Sequence, residues 1–274
     1  VFDELFLLEL GLALKRRSAK MEGGIAFASG GELEGRLRGL LPFTLTRAQE
    51  TVLAEIKKDM SQPHPMNRLV QGDVGSGKTV VSFIAALKAI EAGYQAAIMA
   101  PTEILAEQHF LNIRAHADGL GINAVLLKGA MKGAGKKKAL ESIRLGEAGL
   151  VVGTHALIQK DVEFKKLGLA VIDEQHRFGV SQRAALKKKG VCSEASASPD
   201  ILIMTATPIP RTLSMTVFGD LDVSVIDELP PGRKPVTTRL IREKDRTKAY
   251  DAIRKELVSG SQCYIVYPLV EESE

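Results

Sequence analysis

The chain has 274 residues, 45% hydrophobic and 26% charged, with 5% aromatic residues and no Trp; this is the make-up of an ordinary soluble globular protein, with length for one large core and part of a second. Lys and Arg number 37 against 33 Asp and Glu, a balance of +4 that is too slight to establish a nucleic-acid partner unless the charge clusters locally. Cys192 and Cys263 lie far apart and match no metal-ligand spacing, so they read as reduced thiols of a cytosolic protein.

The start, "VFDELFLLELGLALKRR", carries its acids Asp3, Glu4 and Glu9 ahead of Lys15 to Arg17, the reverse of a secretory leader. Phe2, Leu5, Phe6, Glu9 and Leu12 fall at helical spacing, which predicts an amphipathic helix packed on the main domain. No run reaches the ~20 apolar residues of a membrane span. Residues 21–40 are rich in glycine and read as a connector. From about Leu41, short apolar runs alternate with helical segments. Strands are predicted over 68–71, 96–100, 124–127, 150–153, 169–172 and 201–204. A helix carrying Val80, Phe83, Ile84, Leu87 and Ile90 on one face lies between the first two. Continuous apolar strands separated by helices imply an α/β fold with a parallel sheet covered on both faces. At "DELPPGRKPV" the prolines Pro230, Pro231 and Pro235 interrupt regular structure. A strand over 236–241, a helix over 245–259 and a strand over 262–267 are expected beyond it. Such a fragment cannot bury its own sheet, so the chain is expected to end inside a second domain. The organisation is therefore a lead-in and connector over 1–40, a main domain over 41–228 and a truncated start of another over 229–274.

"GDVGSGKT", Gly72 to Thr79, fits G-x-x-x-x-G-K-[ST] between a predicted strand and a predicted helix, the context in which that pattern cradles phosphates. Glycines at 72, 75 and 77, with Ser76, let the backbone wrap the phosphate oxygens, and the helix N-terminus favours the anion. Lys78 is expected to reach the β- and γ-phosphates of ATP and Thr79 to ligate Mg²⁺. "LAVIDEQHRFG" ends an apolar strand in two adjacent carboxylates, which repel unless a cation offsets them. Asp173 fits a second Mg²⁺ ligand, and Glu174 fits the group that deprotonates an attacking water.

"GDVGSGKT" and "DEQH" together resemble motifs I and II of the superfamily two helicases and translocases. "FTLTRAQ" resembles their adenine-reading Q motif, with Gln49 as the amide contact. "APTEILAEQH", "VVGTHAL" and "MTATPIPRTL" resemble motifs Ia, Ib and III. The combination of "VIDEQHRFGVSQR", "MTATPIPRTL" and "VIDELPPGRKPV" is similar to the RecG family of bacterial ATP-dependent helicases, which act on stalled forks and Holliday junctions. The resemblance implies a first RecA-like P-loop NTPase domain followed by the start of a second. It also implies that His176 senses the nucleotide, that Thr205 and Thr207 couple hydrolysis to DNA, and that Pro101, Thr102, Gly153 and Thr154 hold the DNA backbone. Branched DNA is the implied partner. The family's second RecA-like domain, with its arginine finger, and its N-terminal wedge domain lie outside the chain, and neither Arg211 nor Arg233 stands where the finger belongs. Little turnover is therefore expected from this chain alone.

Lys128, Lys132 and Lys136 to Lys138 form one basic cluster and Lys187 to Lys189 another, and each fits phosphate contact or a solvated face about equally. With few aromatics, contact to DNA backbone is expected rather than base stacking. The motor of the transcription–repair coupling translocase shares several of these elements and is the nearest alternative. A nucleotide-switched binding module has no need of Glu174, and a P-loop kinase leaves "TAT" and Gln49 without a purpose. No segment argues for a membrane, and a cytoplasmic location is expected.

Overall fold

The computed structural model describes residues 6–7, 10–11, 13–14, 23–28, 30–174, 186, 189, 197–207, 221–228 and 236–266. Two compact units divide the chain, Val1–Pro231 and Gly232–Glu274.

In the first unit β1 (Asn67–Gly72), β2 (Gln95–Met99), β3 (Ala124–Leu127), β4 (Leu150–Gly153), β5 (Leu167–Asp173), β6 (Asp200–Thr205) and β7 (Asp222–Ile226) form one sheet in the order β3-β4-β2-β5-β6-β1-β7. Every pairing is parallel. Parallel neighbours need helical crossovers, and α1 (Glu32–Leu40), α2 (Arg47–Met60), α3 (Lys78–Glu91), α4 (Glu103–Gly119) and α5 (Gly133–Leu145) cover the sheet. Side chains alternate between its faces. Val70, Ile98, Val152, Val171 and Met204 join α1 to α4 in one core, while Leu69, Met99, Val151, Ile172 and Ile203 join α5, Val162 and Phe164 in the other. The α/β class and the six expected strands match the observed elements. The seventh, β7, has a half-exposed alternating pattern and contains no continuous apolar run to betray it.

Residues 24–40 are not a simple connector. Ile25, Phe27 and Leu37 are buried in the core, and the Phe27 ring meets Tyr94 edge-on at 5.4 Å. Leu33, Leu37 and Leu41 at four-residue spacing supply α1 with an apolar stripe that outweighs the helix-weakening Gly35 and Gly39. The described residues of the N-terminal segment are helical, but Phe6, Leu7, Leu10 and Leu14 are all exposed. The core that an amphipathic helix there was expected to pack against is filled on one sheet face by α1 to α4.

In the second unit α6 (Arg246–Val258) forms as expected, with no buried residue. The strand expected over 236–241 is irregular, and so is 262–266, the described part of the one expected over 262–267. Strand hydrogen bonds need a paired neighbour, and none is present among the described residues of this unit.

Because all seven strands run the same way, their C-terminal ends share one edge. The strand order sorts that edge into two halves. The C-terminal ends of β1, β5 and β6 lie together, and those of β2 and β4 lie beside them.

Candidate active site

The loop after β1 turns into α3 through two left-handed glycines, Gly75 at φ 78° and Gly77 at φ 87°. A Cβ on Gly77 would lie 2.2 Å from Gln49 Nε2, and one on Gly72 would lie 2.5 Å from Ser76 Oγ. Gly77 is therefore required by backbone shape as well as by close approach, and Gly72 by close approach alone. Ser76 is fully buried, and its Oγ has no hydrogen-bond partner among the described residues. Lys78 Nζ donates to the carbonyls of Gly72 at 2.6 Å and Asp73 at 2.9 Å. Burial pushes the Lys78 ammonium below its ordinary pKa, against the opposing pull of Glu174, Asp173 and Asp73. That coupling makes the lysine and both strand-end carboxylates one electrostatic cluster.

Asp173 ends β5 and is 8% exposed. Glu174 follows at φ 52°, the sole non-glycine with positive φ among the described residues. Such a conformation costs ~1–3 kcal/mol and persists where the surroundings impose it. Here they do. The Glu174 N–H donates to Met204 O at 2.9 Å and its Oε1 accepts from the Ala206 N–H at 3.1 Å, so β6 and the "TAT" segment hold the carboxylate. Within that segment the Thr205 and Thr207 hydroxyls lie 2.8 Å apart, and Thr205 Oγ1 accepts from the Thr207 N–H at 3.2 Å.

Gln49 sits in the first turn of α2, closed by a capping box in which Thr46 Oγ1 accepts from the Gln49 N–H and Gln49 Oε1 accepts from the Thr46 N–H. Its Nε2 donates to Ser76 O at 2.8 Å. The residue is only 2% exposed and both atoms of its amide are engaged within the protein, so here it props the loop. Glu228, just after β7, accepts from the Ala48 N–H at 2.9 Å. Sequence reading gave Glu228 no individual role, since "DELPPGR" entered only through its prolines and the family resemblance. Beside this loop opens a cleft of about 670 Å³, lined by Leu41, Phe43, Val80, Phe83 and Ile113 with Gln49 and His116 at its polar points.

A hydroxyl at Thr79 and a carboxylate at Asp173 are hard oxygen donors. That pair suits Mg²⁺, which keeps most of its waters and takes one or two protein ligands together with substrate phosphates. Among the described residues no group of three or more His, Cys, Asp or Glu forms an all-protein metal cage.

On the other half of the edge, Pro101 and Thr102 follow β2, and Gly153 and Thr154 end or follow β4. Thr102 caps α4, its hydroxyl accepting from the Leu105 N–H at 3.3 Å. Thr154 is 1% exposed and its Oγ1 accepts from the Ala156 N–H. A Cβ at Gly153 would lie 2.4 Å from Leu127 O. Thr154 and Gly153 thus shape the edge through the backbone, and the Thr154 hydroxyl faces the protein. The basic clusters are partly spent internally: Lys128 pairs with Glu107, Lys136 with Asp161 at 2.8 Å, and Lys189 donates to Gln159 O and Val162 O. Lys132, Lys137 and Lys138 stay exposed. His176, Lys187, Lys188, Cys192, Arg211 and Arg233 lie outside the described residues. One residue that sequence reading passed over is drawn in: His109 Nε2 lies 2.7 Å from Asp173 Oδ2.

The DEAD/DEAH box helicase family matches residues 46–216. The chain belongs to that family. It is 52% identical over its whole length to the ATP-dependent DNA helicase RecG of Synechocystis sp., and 50% identical to RecG of Streptococcus pneumoniae. It spans 32% and 40% of their lengths, respectively. A solved structure of RecG bound to a three-way DNA junction superposes with a TM-score of 0.83 at 44% identity, covering 98% of this chain and 36% of that one. The RNA-bound helicase Mss116p, at 18% identity and a TM-score of 0.58, shares the fold. No helix among the described residues is long and apolar enough to cross a membrane.

Proposed function

We propose that this chain is the ATP-binding half of a helicase or translocase motor of RecG type, acting on branched DNA in recombination and repair. The observation that carries the reading is the joining of Lys78, Asp173 and Glu174 in one cluster, with Glu174 fastened to the "TAT" segment through the Ala206 N–H. RecG relatives similar over the full chain supply the DNA and the branched substrate.

The backbone from Gly72 to Gly77 and the α3 N-terminus receive the phosphates, Lys78 neutralises them, and the apolar cleft beside Gln49 takes the adenine. Thr79 and Asp173 would hold Mg²⁺, which offsets charge on the phosphate oxygens. Glu174, held by β6, accepts the proton of the attacking water. Displacement of Glu174 pulls on Ala206, and through it on Thr205 and Thr207, which is how hydrolysis reaches the DNA half of the edge. Pro101 and Thr102 meet the DNA backbone there, on an edge that Gly153 and Thr154 shape from within. The chain works with a second RecA-like domain, of which 229–274 is the beginning, and with an N-terminal wedge domain, in the cytoplasm. His176 senses the nucleotide.

Phosphate release from ATP in the presence of a three-way junction, measured with the second RecA-like domain present because little turnover is expected from this chain alone, tests this reading, with Glu174→Gln as the comparison. The variant keeps the Ala206 contact and nucleotide binding and loses DNA-dependent turnover. Turnover that survives Glu174→Gln undiminished would contradict the reading.

A further inference from the structure

The buried stripe of α4 runs through Ala106, Ile113 and Ala117, and His109 falls on it at helical spacing. An apolar residue is expected at such a position, and a polar one is tolerated only with a partner. The partner of His109 is Asp173: Nε2 lies 2.7 Å from Oδ2, with each side chain 12% exposed. A carboxylate can only accept, so Nε2 carries the hydrogen and donates it. That bond uses one of the two oxygens and fixes the rotation of the carboxylate about its terminal torsion. The other oxygen is left for a cation. The helix behind His109 is 17 residues long and capped by Thr102, with Ala106, Ile113 and Ala117 anchored in the core.

We propose that His109 is a positioning residue for the metal-binding carboxylate, holding Asp173 by the Nε2–H···Oδ2 bond in the one orientation that presents Oδ1 to Mg²⁺. The inference rests on the reading of Asp173 as a Mg²⁺ ligand. Hydrogen-bonded supports of this kind typically govern metal affinity by ~10–100-fold.

The test is a Mg²⁺ titration of the chain with a fluorescent ATP analogue, comparing wild type, His109→Leu and His109→Gln, with circular dichroism for folding. Leucine fills the site without a donor, and glutamine restores an N–H at similar reach. The expected result is a loss of about 10-fold or more in Mg²⁺ affinity for His109→Leu. Nucleotide binding in EDTA should be unchanged, and His109→Gln should recover most of the loss. Equal Mg²⁺ affinity in wild type and His109→Leu overturns the inference, as does an equal loss in both variants, which would point to packing alone. A second measurement needs no substitution: Mn²⁺ with the nucleotide should broaden the His109 ring proton resonances before those of His64. Sharp His109 signals at saturating Mn²⁺ overturn it too. Wild type that shows no Mg²⁺-dependent nucleotide binding defeats the reading of the site itself, a result separable from all of these.

Discussion

Asp200 begins β6 at the edge of the sheet away from the nucleotide loop, fully buried, with Oδ1 accepting from the Met66 N–H at 2.7 Å and Oδ2 without a hydrogen-bond partner among the described residues. Burial, with Asp59 adding to it, pushes its carboxyl from an ordinary 3.8 up to about 8, against the lowering by the Met66 bond. Between about pH 4 and pH 8 the folded chain therefore keeps a proton that the unfolded chain releases. Stability contributed by this group is fully present at low pH, falls as pH rises through that window, and is constant above it. At ~1.4 kcal/mol per pH unit, the displacement bounds the effect at roughly 6 kcal/mol. Asp200→Asn retains an oxygen acceptor for Met66 and removes the titration. The difference in unfolding free energy between Asp200→Asn and wild type, from urea denaturation followed by circular dichroism, should move in favour of the variant by several kcal/mol from pH 5 to pH 9. A difference that stays flat across that range would refute the reasoning.

Two further substitutions probe the scaffold of the site. Arg68 is 8% exposed and donates to Asp59 at 2.7 Å, Glu55 at 3.0 Å and Ser224 at 2.6 Å, so Arg68→Ala leaves two carboxylates and a hydroxyl without it. With Glu55 half exposed, a loss of about 2–3 kcal/mol is expected, seen in denaturation and as faster amide exchange in β7. An effect below ~0.5 kcal/mol would show that the network contributes little. Gly77→Ala forces a Cβ against Gln49 Nε2 at φ 87°, so a loss of more than ~1 kcal/mol of unfolding free energy should accompany loss of binding to a fluorescent ATP analogue. Unimpaired binding would mean that the loop has room the structure denies it.

The sheet strands were legible because buried parallel strands need long apolar runs, and 150–153 and 169–172 have nothing else. The nucleotide loop was legible because its glycines and lysine recur at fixed spacing between strand and helix. What escaped notice depended on partners distant in sequence. His109 looks like any helix histidine until α4 docks over the end of β5. Glu228 gains meaning only when the chain returns to the first turn of α2. The family resemblance implies that Thr154 holds the DNA backbone, yet the short helical turn after β4 claims its oxygen. Residues 24–40 misled through their glycines, since a few leucines at four-residue spacing were enough to build α1.

Binding of a fluorescent ATP analogue with Mg²⁺ to this chain and to Lys78→Ala tests the central claim most directly. The account predicts saturable, Mg²⁺-dependent binding that Lys78→Ala abolishes while its circular dichroism spectrum stays that of the folded wild type. Binding of equal strength in Lys78→Ala, or none in the wild type, would contradict it.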